Sequence, residues 1–541
     1  MTVRLPNHLN LIATAPAGIQ KLRGLILELA VRGKLVAQDP NDEPASELLK
    51  RIAQERARLE TEGTCKKSKA TPLDDNDAPP FQLPTGWELS QLSDLTLVLN
   101  GRAYSKDELL SEGVPVLRVG NLFTSNHWYY SNLQLEDDKY CDQGDLLYSW
   151  SASFGPFIWQ GPKVIYHYHI WKLRLFDESS LSKEFFYKFL LEKTAEIKAA
   201  GHGVSMIHMT KEKMEKILVP VPPLAEQHHI VAKVDELMAL CDRLEAEQTD
   251  AGAAHTRLVA TLLGTLTQSA DAAELAANWQ RLAEHFDTLF TTESSLDALK
   301  QTILQLAVMG KLVPQDPNDE PVERTFPGLR ALNAIPTVGA DVPMKWALCP
   351  YRSITSLVTS GSRGWKEWYS DTGAIFIRTQ NIKTDNLVLD DVAFVDLPET
   401  TEGMRTQVLK DDILITITGA NVTKAALIEN EIPRAYVSQH IALTRPRWSA
   451  MSRWLHLCFI SHGSARGTLE RLAYGAKPGL NLNNIRDLEM PIPPLAEQHR
   501  IVAKVDELLA LCERLKADLA ESRAQQERLA ATLIESALQA A

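Results

Sequence analysis

The sequence predicts an α+β protein with a pseudo-two-fold internal repeat. Two insert domains, each a curved, antiparallel-rich sheet with helices, are joined by two long antiparallel helices forming an intramolecular coiled coil. Three observations predict this. Residues 222–244 read PPLAEQHHIVAKVDELMALCDRL, and residues 493–515 read PPLAEQHRIVAKVDELLALCERL. Residues 33–44, GKLVAQDPNDEP, recur at 310–321 as GKLVPQDPNDEP. The segments between these blocks have diverged, yet strand-like runs follow in the same order in both halves. Near-identity confined to blocks at a fixed long period marks a duplicated frame, here carrying two different inserts.

The elements follow in chain order. Ile19, Leu22, Ile26, Leu29 and Ala30 share one face of a helix over 17–36, with Gly33 as a stop. The second copy runs over 294–308 and stops at Gly310. Residues 47–59 form a short helix. Residues 61–85, polar and proline-rich, read as a linker whose counterpart is 322–342. Each insert begins at a tryptophan, Trp87 or Trp346. Strands are expected at 115–119, 145–150, 164–168 and 171–175 in the first, and at 374–378, 413–418, 424–428 and 441–444 in the second. Helices follow at 182–199 and 450–471, and each insert closes on a strand ending in VPVPP or MPIPP.

Pro-Pro then opens a long helix in each half. In the second copy Ile501, Val505, Leu508, Cys512, Leu515, Leu519, Ser522, Gln526, Leu529 and Leu533 alternate steps of four and three, a coiled-coil seam. The first copy repeats it at Ile230, Val234, Leu237, Cys241 and Leu244 and resumes at Leu258 and Leu262. About 45 residues of helix span roughly 67 Å, and a stripe that long needs a partner. A dimerisation coiled coil is the alternative, but a duplicated chain satisfies a two-fold contact with itself. The resulting divisions are 1–85, 86–221, 222–342, 343–492 and 493–541.

Over 541 residues the formal net charge is −12, which argues against a simple basic nucleic-acid-binding protein. Basic and acidic residues nearly balance in both inserts, so the excess acid lies in helices and linkers. The six cysteines are scattered, without CxxC or metal-ligand spacing. With no apolar leader at the N-terminus and no run approaching a membrane span, a cytoplasmic location is expected. No GxxxxGK[ST], HExxH or GxSxG occurs. The base-gripping Asn-Pro-Pro-aromatic signature of amino-methyltransferases is absent as well. A chain that is not itself an enzyme is expected.

The doubled PPLAEQ…VDELLALC and GKLV…QDPNDEP blocks, with two divergent inserts between them, resemble the specificity subunit of type I restriction–modification enzymes over essentially the whole chain. The resemblance implies that each insert is a target recognition domain reading one half of a split, asymmetric DNA sequence. It implies that the repeated helices set the gap and dock two modification subunits. Those subunits would bind S-adenosylmethionine and methylate adenine N6. Restriction subunits would add ATP- and Mg-dependent translocation and cleavage. No cofactor or metal is expected on this chain.

Base readout uses Arg or Lys on guanine and Asn or Gln on adenine, while phosphate contacts set register. Inter-strand loops are where such groups sit. The first-insert candidates are Arg102, Tyr104, Lys106, Arg118, Asn121, Ser151, Ser153, His202 and Ser205. Those of the second are Ser362, Arg363, Lys366, Arg378, Gln380, Asn381, Asn421, Lys424 and Lys477. Each charged candidate has a plainer reading as a solvated surface group. Trp87 and Trp346 read as core anchors. His169 and His440, in apolar strand contexts, read as satisfied core residues. Two other functions compete: a self-contained restriction–modification enzyme, and a structural adaptor whose inserts bind protein.

Overall fold

The repeated blocks meet in a junction that occurs twice. The computed structural model describes residues 9–63, 81–151, 153–200, 209–329, 343, 345–361, 364–383, 385–397, 405–473 and 478–540. Two compact units result, Met1–Asp250 with Arg523–Ala541 (unit 1) and Ala251–Ser522 (unit 2).

In unit 1 the helix Gly18–Val31 buries Ile19, Leu22, Leu25, Ile26 and Leu29. It ends where the Lys34 amide bonds back to the Leu29 carbonyl and Gly33 adopts a φ of 67°, the left-handed termination that favours glycine. A Cβ on Gly33 would stand 2.5 Å from Pro84 and 2.8 Å from the Trp87 ring. Unit 2 repeats this. Helix Glu293–Val308 ends at Gly310, whose φ is 69° and whose Cβ would meet Pro343 at 2.5 Å and Trp346 at 2.9 Å. Asp39 and Asp316 each fold the following DPND segment by accepting the amide two residues on.

The tryptophan of each junction binds the first turn of a long helix. Trp87 Nε1 donates to Glu226 Oε2 at 2.9 Å, and Trp346 Nε1 to Glu497 Oε2 at 3.0 Å. Glu497 also accepts from Gln315 at its other oxygen, whereas Glu226 Oε1 has no partner among the described residues. The next residue ties the helix start to the Pro-Pro pair, Gln227 Nε2 donating to the Pro222 carbonyl and Gln498 Nε2 to the Pro493 carbonyl. The repeated motifs thus form one packed unit: a glycine that admits a tryptophan, a glutamate that holds it, and a glutamine that closes the helix start. In unit 2, Arg500 adds a bidentate pair with Asp319; His229 stands at that place in unit 1.

Within each insert the first and last strands form a clasp, Glu88–Gln91 with Leu218–Val221 and Ala347–Pro350 with Glu489–Ile492. The sequence predicts a single curved sheet; the structure instead has two main sheets per insert. One is a four-stranded antiparallel sheet, in the order Thr96–Asn100, Ile170–Leu175, Leu146–Ser149, Gly155–Ile158. Unit 2 has the same order in Thr355–Ser360, Ile441–Pro446, Ile413–Thr416, Ala425–Leu427. The other sheet contains a parallel pair, Val114–Leu117 beside Val164–Tyr166 and Ala374–Ile377 beside Ala435–Val437. Its strands are short and several are buried on both faces, so no alternation shows in the sequence.

Other expectations need adjustment. The 450–471 helix is two helices, Ser452–Ile460 and Ala465–Leu472, broken around Gly463. The strand expected to reach Val119 stops at Leu117, and the chain turns into the helix Val119–Phe123. The long helices span Leu224–Gln268 and Leu495–Ala540. Their seam is buried at Ile230, Val234 and Cys241 and at Ile501, Val505 and Cys512. Further along, the register shifts by one residue. Leu258 and Leu529 are exposed, and Val259 and Ala530 are buried instead. Unit 1 packs Ala530 into the core that holds Ile230, and unit 2 packs Val259 into the core that holds Ile501. Among the described residues no helix is long and apolar enough to cross a membrane.

Replacing Glu497 tests the junction. Glu497→Gln keeps an acceptor for the indole and is expected to shift the unit 2 unfolding transition by less than about 1 kcal/mol. Glu497→Leu strands the indole N–H and the Gln315 amide and should cost about 1–3 kcal/mol. Burial raises the Glu497 pKa above its ordinary 4.5, so the folded state holds the proton more tightly than the unfolded chain. Relative to the glutamine variant, the parent therefore gains stability as pH falls through the folded pKa towards 4.5, and loses that increment as pH rises. Calorimetric scans across this window check both the order of the variants and the sign.

Candidate nucleic-acid interface

Both inserts place a groove at the carboxyl ends of their parallel strand pair, where open sheets with parallel strands tend to bind ligands. In unit 1 the groove measures about 340 Å³ and is lined by Arg118, Asn121, Ser125, His127, Tyr129, His167 and His169. In unit 2 it measures about 560 Å³ and is lined by Trp365, Tyr369, Arg378, Gln380, Ser438, Gln439 and His440. The placement is equivalent. Arg118 and Arg378 follow the first parallel strand, and His167 and Ser438 follow the second.

The frame beneath the two grooves is the same. The amides of His167 and Ser438 bond to the carbonyls of Leu117 and Ile377 across the parallel pair, each at 2.9 Å. Ile170 and Ile441 close a turn by donating to His167 and Ser438. Trp150 donates its amide to the His169 carbonyl, and Ile417 does the same to His440. Gly101 and Gly361 let the preceding strand pass close by, since a Cβ would lie 2.3 Å from the His167 carbonyl oxygen in one and 2.0 Å from that of Val437 in the other.

In unit 1, Arg118 is exposed, with its guanidinium 5.0 Å over the Tyr129 ring, a cation–π stack that leaves the donor edges open. Arg102 is half-buried, pairs with Glu108 at 2.7 Å and lies 5.3 Å over Tyr104. Its hydrogen bond draws the Glu108 pKa down to about 2. Tyr104 stacks on His167 with ring centroids 6.3 Å apart, and burial pushes its phenol pKa up. Burial also lowers the pKa of His167 to about 4, so the ring is neutral near pH 7. Lys106 is exposed on the turn Lys106–Glu108. Ser151 and Ser153 flank the loop after Trp150, and both of their carbonyls accept from Ser149 Oγ.

In unit 2, Arg378 and Gln380 reach the two oxygens of Asp391, at 3.7 and 3.1 Å. Arg378 Nε has no partner among the described residues. Lys424 is half-buried and is not one of the residues lining this groove. His202, Ser205, Ser362, Arg363 and Lys477 lie outside the described residues, as does the side chain of Lys366.

The asparagines take a structural role in the loops, and the reading of the histidines needs correction. Asn121 Oδ1 accepts the Arg118 amide and its Nδ2 donates to the His127 carbonyl. Asn381 is buried; it accepts the Arg378 amide and donates to the carbonyls of Val388 and Asp391. Asn421 donates to the Thr379 carbonyl. These amides shape the loops and are engaged with backbone. Conversely, His169 is half-buried and His440 exposed; both line grooves and are not core residues. Sequence reasoning passed over them because the next residue, Ile170 or Ile441, is a core residue. The available signal was a His-Ile pair at the same place in both inserts.

The two inserts share one fold and one groove position, and similarity to known proteins gives their class. The type I restriction modification DNA specificity domain matches residues 84–251 and 369–521. The chain is 33% identical to the Type I restriction enzyme EcoAI specificity subunit of Escherichia coli, over 96% of this chain and 94% of that one. It is also 33% identical to the EcoEI specificity subunit of Escherichia coli, again over 96% of this chain and 94% of the relative. A chain from a structure concerned with complex assembly and conformational transition of the type I R-M system shares the fold. Its TM-score is 0.52 at 17% identity, covering 85% of this chain and 99% of that one. This chain belongs to the family of type I restriction enzyme specificity subunits.

The loop assignment has a direct check. Asn381→Ala should speed hydrogen exchange at the Arg378 amide, which bonds to the Asn381 side chain, by about 5- to 150-fold, the equivalent of losing a buried bond worth about 1–3 kcal/mol. Gln380→Ala, at an exposed side chain, should leave that amide unchanged.

Proposed function

We propose that this chain reads a bipartite, asymmetric DNA target, one tract per insert, and does no chemistry itself. The observation that carries this reading is the recurrence of one groove, on one backbone frame, lined by different side chains. Two such grooves can read two different tracts. Arg102, Lys106, Arg118, Ser151 and Ser153 in unit 1, and Arg378, Gln380 and Lys424 in unit 2, are the proposed DNA-contacting groups within the described residues. Exposed arginine and lysine suit phosphate and guanine; Gln380 suits adenine.

The acidic balance of the chain fits this role. Charge repulsion from the helices would confine DNA to the near-neutral inserts. The repeated helices are the proposed docking surface for two modification subunits, with restriction subunits joining the complex. S-adenosylmethionine, ATP and Mg would be bound by those partners, in the cytoplasm. We further propose that the long helices pack as an antiparallel spacer that fixes the gap between tracts. The heptad seam and the sharing of each core by the start of one long helix and the end of the other support it.

Two experiments test these proposals. The chain, purified with its modification partner, is presented with a randomised duplex library over a salt series. Recovery of a split motif, with affinity falling steeply as salt rises, is expected; recovery of no motif would contradict the reading. For the spacer, one heptad inserted into both long helices adds about 10 Å. At about 3.4 Å per base pair the methylated tracts should move apart by roughly 3 base pairs, with their sequences unchanged.

A further inference from the structure

We infer that the three residues after the second parallel strand, His167-Tyr168-His169 in unit 1 and Ser438-Gln439-His440 in unit 2, form the base-reading loop of each groove, and that Gln439 reads an adenine. This rests on the DNA-reading function proposed above and goes beyond it by assigning the readers.

The first argument is the mounting. Each tripeptide is pinned at its first residue across the parallel pair and at its third by the neighbouring strand, and a turn closes it against the following isoleucine. All of these bonds are backbone bonds, so they hold whatever side chains the loop carries. The glycine beneath each loop leaves no room for a Cβ, which fixes the height of the loop above the sheet. A rigid mount with variable side chains is what precise readout requires.

The second argument is the chemistry of the loop in unit 2. Thr418 Oγ1 contacts His440 Nδ1, and His440 Nε2 lies 3.2 Å from Gln439 Nε2. These contacts hold the Gln439 amide at the groove and use one of its hydrogen-bonding positions, the His440 tautomer deciding which. Gln439 Oε1 has no partner among the described residues, and neither has Ser438 Oγ beside it. A shielded polar atom without a partner is costly and calls for an explanation. A glutamine amide offers one acceptor and, here, one remaining donor. That pair complements the N6 amino group and N7 of adenine in the major groove. His440 and Thr418 act as positioning residues.

The third argument is the contrast with unit 1. There the same mount carries Tyr168, 40% exposed, in ring contact with His167 and His169, whose centroids lie 4.5 and 3.9 Å away. This loop offers an aromatic face and imidazole edges where unit 2 offers an amide. Equivalent positions with unlike chemistry are where two domains that read different tracts should differ.

The test uses the full chain with its modification partner and maps methylated sites on randomised duplex DNA. Gln439→Met keeps the shape of the side chain and removes its hydrogen-bonding groups. It should relax one A·T position in one half-site by about 5- to 150-fold, the range of one bidentate contact, with the other half-site and the gap unchanged. The exchange His167→Ser with Tyr168→Gln should alter only the opposite half-site. His440→Ala should weaken the same adenine preference as Gln439→Met while leaving complex formation intact. If the parent selects a motif and Gln439→Met selects the same one with equal stringency, the loop assignment is overturned alone. A change in both half-sites would overturn it too. If the parent selects no motif, the DNA-reading function falls and this assignment falls with it.

Discussion

A tryptophan at the mouth of each insert, hydrogen-bonded to a buried glutamate in the first turn of a long helix, is the contact on which the architecture depends. Trp87 with Glu226 and Trp346 with Glu497 tie three separate stretches of chain together. The ring packs where Gly33 or Gly310 leaves space, the unit 2 carboxylate also accepts from Gln315 just before the DPNDEP segment, and the helix starts behind a Pro-Pro pair. A buried carboxylate is costly unless its oxygens are matched by donors, so the members of the junction constrain one another. This is a physical reason for the near-identity of the two copies while the chain between them has diverged.

The inserts diverge over a preserved frame. Strand order in the antiparallel sheet, the parallel pair, the clasp and the backbone bonds at the groove are common to both units. Even local strain is matched by local means. Gly144 turns with a positive φ before Asp145, and Asp411 takes the same left-handed conformation before Asp412. In each case the following aspartate accepts the amide three residues back, Asp145 that of Asp142 and Asp412 that of Leu409. Backbone geometry carries the fold here, which leaves the side chains facing the groove free to differ.

The duplication, the long helices, the tryptophan anchors and most strands were legible in the sequence, because long periodic patterns and repeated motifs average over local noise. Less legible was whatever depended on two distant segments meeting. The parallel pair joins residues 49 positions apart in unit 1 and 60 apart in unit 2, and its short strands, several buried on both faces, carry no alternating signature. The shift of the helix seam from Leu258 to Val259 and from Leu529 to Ala530 reflects where each core sits, which a heptad count does not encode. At the grooves, residue type alone left roles open. Asparagines of the kind that read adenine fold loops, and histidines beside core isoleucines point outward. The equivalent placement of Arg118 and Arg378 was legible because the same short motif precedes both.

The claim that one doubled frame holds two interchangeable readers is tested most directly by making the readers identical. A chain in which residues 88–221 are replaced by residues 347–492 keeps both junctions and carries the second insert twice. Methylated-site mapping of its complex should show the same tract in both halves of the target, at the parental spacing. Retention of the parental asymmetric target, or two different tracts, would contradict the account.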